Sequence, residues 1–236
     1  KIINIIISTN TYYKMKVLCF DTETTGLPKD QHASFHDSSS WPHIIQLSYI
    51  VIDTDTKEIT EYIDRIIKLA DDVDISQESI NIHKITRERS INEGIPIKKA
   101  LIEFAEVIKT IDLIIAHNII FDKRIITVEL YREKMKNCFY LDGQLIPEYC
   151  TMKQTTNLCK IPAVNKKTGE TYNKYPSLSE LHNTLFKQLP HGTHNAIADV
   201  MICLRCYIYH VYKYDISTDP DVKIVFRSLY HLYCGV

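Results

Sequence analysis

The sequence has no excess of basic residues. Its 28 Lys and Arg stand against 29 Asp and Glu, a formal net charge of -1. A protein that coats long duplex DNA by neutralising phosphates is expected to be basic. Any contact with nucleic acid is therefore expected at a small site where metal ions supply the positive charge. The sequence also lacks an apolar run of the ~20 residues needed to span a bilayer, so no membrane partner is expected. Repeats, low-complexity tracts and linkers are missing too. A paired cysteine framework is lacking as well. The seven cysteines are odd in number and scattered, which points to free thiols in an intracellular, reducing compartment such as cytoplasm or nucleus. Cys203 and Cys206 make a C-x-x-C pair, but no second pair accompanies them in sequence to complete a zinc site. They are expected as buried helix residues.

What remains is an ordinary globular composition, 45% hydrophobic and 24% charged, which excludes long-range disorder. A length of 236 residues suits one well-buried domain, at most with an appendage. The opening KIINIIISTNTYYK is too short in its apolar part, and lacks the small-residue site, of a signal peptide. The chain starts with Lys, and Met15 stands just before the first convincing element. Residues 1–14 are accordingly expected to be an appended or upstream-translated extension, and 15–236 a single domain. The abundance of Ile, Lys and Asn, with 15 tyrosines, is consistent with an AT-rich genome, viral or parasitic.

Val17-Leu18-Cys19-Phe20 reads as a buried strand ending in acidic residues. The polar stretch from Pro28 to Pro42 is a surface loop. His43 to Asp53 and Ile59 to Leu69 read as a hairpin around residues 54–58, giving an antiparallel meander of three strands. Ser76 is a candidate cap for a short helix. Ile97 to Lys109 has the three-and-four spacing of an amphipathic helix. Leu113 to Ala116 is a second buried strand, and Phe121 to Lys136 is helical. Residues 138–176 are expected as an exposed excursion. Ser177 to Phe186, Asn195 to Tyr214 and Asp219 to Tyr233 close the chain as helices, the last with Pro220 in its first turn. The sum is one α/β domain with a mixed sheet.

Three segments carry chemistry. In Phe20-Asp21-Thr22-Glu23-Thr24-Thr25-Gly26, residues two apart on a strand share a face. Asp21 and Glu23 therefore stand side by side, and adjacent carboxylates repel unless a cation or proton intervenes. Hard oxygen ligands of this kind suit Mg²⁺ or Mn²⁺, although a solvated acidic strand end fits equally well. Thr24, Thr25 and Gly26 offer backbone N–H groups and a tight turn for a sugar or phosphate. In Ala116-His117-Asn118-Ile119-Ile120-Phe121-Asp122, the strand gives way to a helix with Asp122 in its first turn. A carboxylate is favourable there in any case. In His194-Asn195-Ala196-Ile197-Ala198-Asp199, five helical steps would put His194 about 140° away from Asp199. The two converge only if His194 lies on the loop before the helix, and Leu189 to Thr193 is that loop. A loop histidine beside a fixed carboxylate suits a general base. His191 is the competitor.

In this order and spacing, D-x-E, H-N-x-x-F-D and H-x-x-x-x-D resemble the DEDD exonucleases of the ribonuclease H-like superfamily. Within them the chain is similar to the histidine subgroup typified by bacterial proofreading subunits, because the position four before Asp199 is Asn195, where the other subgroup has tyrosine. The resemblance covers about residues 16–213 and includes Ile82-His83-Lys84-Ile85-Thr86, with Lys84 at a usual glycine. It implies a mixed five-stranded sheet flanked by helices and a 3′→5′ exonuclease that releases 5′-mononucleotides. DNA ends, preferably single-stranded, are the expected substrate. It further implies two Mg²⁺ or Mn²⁺ ions held by Asp21, Glu23, Asp122 and Asp199, with Asp21 bridging, and His194 as base. Leu27 would wedge against the terminal base, with His83 beside it and Asn118 among the substrate contacts. A polymerase or replication complex is the implied protein partner. Rival readings are an RNA 3′ trimmer, a non-catalytic subunit binding 3′ ends or a polymerase, and an endonuclease of the superfamily.

Overall fold

The computed structural model describes residues 14–219 and 224–234. The expected extension thus lies outside the described residues except for Lys14, and so does Pro220. Three strands, β1 (Lys16–Thr24), β2 (Ile44–Asp53) and β3 (Glu58–Ile66), pair antiparallel as the expected meander. β4 (Leu113–Ala116) lies parallel to the other edge of β1, and β5 (Glu148–Cys150) parallel to β4. The sheet order is β3-β2-β1-β4-β5, with β1 in the centre. Helices flank it: α1 (Gln77–His83), α2 (Arg87–Glu93), α3 (Ile97–Ile108), α4 (Ile119–Arg132), α5 (Leu178–Phe186), α6 (Ala196–Tyr212) and α7 (Ile224–Cys234).

Side-chain alternation on β1 builds two cores. Val17 and Cys19 join the core that holds α6 and α7, with Met201, Tyr207, Phe226 and Tyr230. Leu18 and Phe20 join the opposite core with Leu101 and Phe104 of α3 and Ile125 of α4. α6 is apolar nearly all round, as a helix buried on all sides must be. It packs on β1 and β2 on one side and on α5 and α7 on the other. Of its residues only Asp199, Tyr209, His210 and Val211 escape full burial. Cys203 and Cys206 are free thiols buried within it, as expected. Arg205, also buried, donates to both carboxylate oxygens of Asp215 at 2.9 and 2.7 Å and to the Tyr230 hydroxyl at 2.8 Å, which fastens α7 to α6.

The stretch 138–176 is only partly the expected excursion. Tyr149 and Cys150 are buried in β5, a strand too short for any period to announce and formed only because β4 offers an edge. Beyond it, β6 (Pro162–Val164) and β7 (Thr171–Asn173) form an exposed hairpin. α2 was not foreseen. It is short and polar, and it is held because buried Ser90 donates to the Ile67 carbonyl at 2.7 Å and accepts the Leu69 N–H at 3.0 Å. Ser76 caps α1 as expected, its hydroxyl accepting the Ser79 N–H at 3.1 Å.

Candidate active site

β1 runs further than its apolar letters, because Asp21, Thr22 and Glu23 still pair with Ser48, Leu47 and Gln46 of β2. Asp21 and Glu23 fall on the same side as Val17 and Cys19, the side that faces α6. Asp199, in the first turn of α6, meets them there. Each of the three offers an oxygen within 4.8 Å of the other two. Asp122 lies beside this trio and does not join it at that distance. The β1–β4 ladder stops at Cys19 opposite Ile115, and further along Asp122 supplies the acceptor for β1. Its Oδ1 accepts from the Thr22 N–H at 3.1 Å and the Thr22 hydroxyl at 2.8 Å. Three of the four predicted ligands therefore converge tightly, and the fourth borders them with one oxygen already engaged.

Burial and mutual repulsion hold these carboxyls in their protonated form to unusually high pH. Burial, then the charges of Asp122, Asp199 and Glu23, push Asp21 well above the usual carboxylate range. Burial, then Asp199 and Asp122, raise Glu23 to about 8. Asp122 is raised to about 7 by burial against the opposing Thr22 hydrogen bonds. Asp199 is raised to about 7 by burial against the opposing His194 N–H. Such a set is relieved by protons or by a cation. Its all-oxygen donors fit a hard divalent ion such as Mg²⁺ or Mn²⁺.

His194 lies on the loop, as the spacing requires, since α6 starts only at Ala196. Its side chain is exposed, its φ is 69°, and its N–H donates to Asp199 Oδ2 at 3.0 Å. His191 is tied elsewhere: its N–H donates to the Cys234 carbonyl of α7 at 3.2 Å. Between them Gly192 has φ +72°, and a Cβ there would stand 2.0 Å from the Tyr233 carbonyl oxygen. The loop is seated on the last turn of α7, and only glycine fits that seat.

A hollow of about 560 Å³ opens beside the carboxylates, lined by Glu23, Thr24, Gly26, Leu27, His83 and Phe121 among others. Leu27 is 80% exposed on its rim. His83 is buried in its wall. There its Nδ1 accepts the Ile85 N–H at 3.0 Å, and its Nε2 lies toward the Thr24 backbone without a well-formed hydrogen bond. Thr25 does not line this hollow. Its N–H and hydroxyl bond the His43 carbonyl and N–H at 2.9 and 3.0 Å, and its carbonyl accepts the Ser76 N–H at 2.9 Å. Thr25 therefore pins the turn to β2 and α1 and offers nothing to a ligand. The Thr24 hydroxyl likewise donates inward, to the Gly26 carbonyl at 2.8 Å. Gly26 itself needs no special backbone conformation, and an added Cβ would meet nothing within 4 Å. Asn118, at φ 66° before α4, is exposed and lines a neighbouring hollow. Lys84 ends α1 at φ 62°, the left-handed conformation that glycine adopts most easily.

Residue-by-residue reading of the sequence passed over Phe121, Ser76 and Ile82 as lining residues. It also passed over His117, whose Nδ1 meets Thr151 Oγ1 at 2.9 Å and whose Nε2 meets the Pro176 carbonyl at 3.0 Å. Burial lowers His117 to about 4, so it is neutral at pH 7 and joins β4 to the two ends of the 151–176 segment. A histidine directly after a four-residue apolar strand was the available signal.

The RNase T family model, described as an exonuclease, matches residues 18–207. The chain belongs to this exonuclease family. No curated protein matches it by sequence. Solved structures do match by shape. The exonuclease I of E. coli in complex with a dA16 oligonucleotide is 15% identical, with 84% of this chain and 42% of that one covered and a TM-score of 0.62. The exonuclease I of Methylocaldum szegediense is 18% identical over 83% of this chain and 40% of that one, with a TM-score of 0.59. The zinc-bound form of the E. coli enzyme with single-stranded DNA is 16% identical over 86% and 43%, with a TM-score of 0.62. The chain thus spans about two fifths of the length of these proteins, and at such identities the likeness is one of fold. The mixed sheet flanked by helices is the ribonuclease H-like arrangement of the DEDD exonucleases, and family membership carries dependence on a divalent metal.

Proposed function

We propose that the chain is a 3′→5′ exonuclease that removes 5′-mononucleotides from DNA ends, with single strands preferred. The observation that carries this reading is the meeting of Asp21, Glu23 and Asp199 within 4.8 Å of one another beside a hollow of nucleotide size. Residues 15–236 act as one exonuclease domain. The E. coli exonuclease I was solved with dA16 and dT13 oligonucleotides and, in its zinc-bound form, with single-stranded DNA, which supports the same class of substrate for this chain.

Asp21, Glu23 and Asp199 would hold one Mg²⁺ or Mn²⁺, and Asp21 with Asp122 would hold a second. The chemistry supplied at such a site would be acidification of the attacking water and stabilisation of the departing 3′ oxygen. His194 takes the proton of that water as general base. Asp199 anchors the His194 main chain, so the base and a ligand share one fixed point. Thr22 sets the angle of Asp122 through its two hydrogen bonds. Leu27 and His83 pack against the terminal nucleotide, and contact of this apolar kind tolerates any base. Resemblance to proofreading subunits extends the proposal to a polymerase or replication complex as partner. The seven free thiols support an intracellular, reducing compartment.

The deciding experiment is a Mg²⁺ time course on matched single-stranded DNA, duplex DNA and RNA, each labelled at the 5′ end. The expected result is a ladder of shortening products, fastest on single-stranded DNA. Internal cuts or an inert purified protein would refute the proposal, and faster shortening of RNA would reassign the substrate.

A further inference from the structure

Two smaller hollows continue from the one beside Glu23. The first, of about 130 Å³, shares Phe121 with it. The second, of about 270 Å³, shares Ile120 and Arg124 with the first. They form an open groove that leaves the carboxylates and follows the first turns of α4. One wall is α4 itself. The other is the 27–42 segment, which contributes Leu27 to the large hollow, Trp41 to the middle one and Phe35 to the last.

A long surface segment without a sheet or long helix of its own is uncommon unless it binds something. This one is firmly fixed. Arg132 donates to the carbonyls of Ser38, Trp41 and Pro42 at 2.6, 2.7 and 3.0 Å, and Trp41 Nε1 donates to the Ser34 carbonyl at 3.2 Å. The anchoring presents Phe35 at the groove's far end, 43% exposed. Its ring centroid stands 4.1 Å from that of His36 and 6.3 Å from that of Tyr131, so its orientation is set before any ligand arrives. Arg124 is the exposed cation between the two ends of the groove, with one hydrogen bond, to the Gln31 carbonyl at 2.7 Å. Lys123 next to it is engaged by Glu148.

An aromatic face held in the open, and a guanidinium one step nearer the metal ligands, are the two elements that grip a single strand: stacking for a base and charge for a phosphate. We propose that this groove carries the strand upstream of the 3′-terminal nucleotide, with Phe35 stacking on a base and Arg124 holding a phosphate. The occupant is single-stranded nucleic acid, because the bases of a duplex present no free face to Phe35. This inference rests on the exonuclease reading of the carboxylate site.

The test separates the two. Hydrolysis of the p-nitrophenyl ester of thymidine 5′-monophosphate, which has a single nucleotide, reports the metal site alone. Anisotropy of 5′-labelled tetra- and dodecathymidylate, with Ca²⁺ replacing Mg²⁺ across a KCl series, reports the groove. Phe35→Ala and Arg124→Gln are expected to hydrolyse the ester at the wild-type rate and to weaken dodecamer binding by about tenfold each. Arg124→Gln should also lower the slope of log affinity against log salt by about 0.7, which Phe35→Ala should not. Unchanged dodecamer affinity and slope in both variants, with the ester still hydrolysed, would overturn the groove and leave the site standing. Loss of dodecamer binding instead in a charge reversal of Lys166 and Lys167, in the turn of the exposed β6–β7 hairpin, and of Lys160 just before it would send the strand another way. Wild-type protein that cleaves neither ester nor oligonucleotide would end both readings.

Discussion

Replacing Asp199 by Asn should make the metal-free protein more stable above about pH 4, with the gain complete at neutral pH. The carboxyl of Asp199 titrates at about 7 in the folded protein, against roughly 3.9 in an unfolded chain. Between these values the folded state binds more protons than the unfolded one. Wild-type stability therefore falls as pH rises from about 4 to about 7, and stays level above. Three pH units correspond to about 4 kcal/mol. Asn carries no charge and keeps an oxygen to accept the His194 N–H, so the variant escapes this loss. Melting in EDTA should show the two proteins together near pH 4 and the variant higher at pH 8 by roughly 8–16 °C. Added Mg²⁺ should invert the order at pH 8, since ligand binding to the native state stabilises the wild type with its full carboxylate set. A variant that melts below the wild type in EDTA at pH 8, or one that Mg²⁺ stabilises equally, would refute the account of a charge cluster awaiting a cation.

Three further outcomes follow from the loop and from α7. His194→Ala should lower turnover by roughly 10²–10⁴-fold while the Mg²⁺-induced rise in melting temperature survives; if His191→Ala does the damage, the base is misassigned. Gly192→Ala forces a Cβ against the Tyr233 carbonyl at a positive φ, which should cost about 1–3 kcal/mol in urea unfolding and reduce turnover. Unaltered turnover there would mean that the loop's seat on α7 does not position His194. Tyr230→Phe removes a hydroxyl shared by Arg205 and His182 and should destabilise by about 1–3 kcal/mol; equal unfolding midpoints would show the network to be dispensable.

Much of the site was legible because it follows from strand alternation and one helix boundary. The two-residue spacing of Asp21 and Glu23 put both on one face, and the 189–193 stretch placed His194 off the helix, as found. Three features were not legible for physical reasons. β5 is three residues long and exists only beside β4. Asp122 is turned by Thr22, an interaction that arises where the β1–β4 ladder ends. The turn at Thr24-Thr25-Gly26 reads as ligand-facing, yet the polar atoms of Thr25 are used by His43 and Ser76, partners remote from it in sequence.

The same odd–even rhythm in β1 sorts the two cores and aims the two carboxylates. Inserting or deleting one residue between Val17 and Asp21 would swap the faces of everything on one side of the change. Either the acids would turn away from α6 or the aliphatic partners would exchange layers. A length change directly before Asp21 should thus yield a folded but inactive molecule, and one within Leu18–Phe20 a scrambled core. A library scored for both solubility and cleavage should therefore separate the two positions of lesion within this one segment.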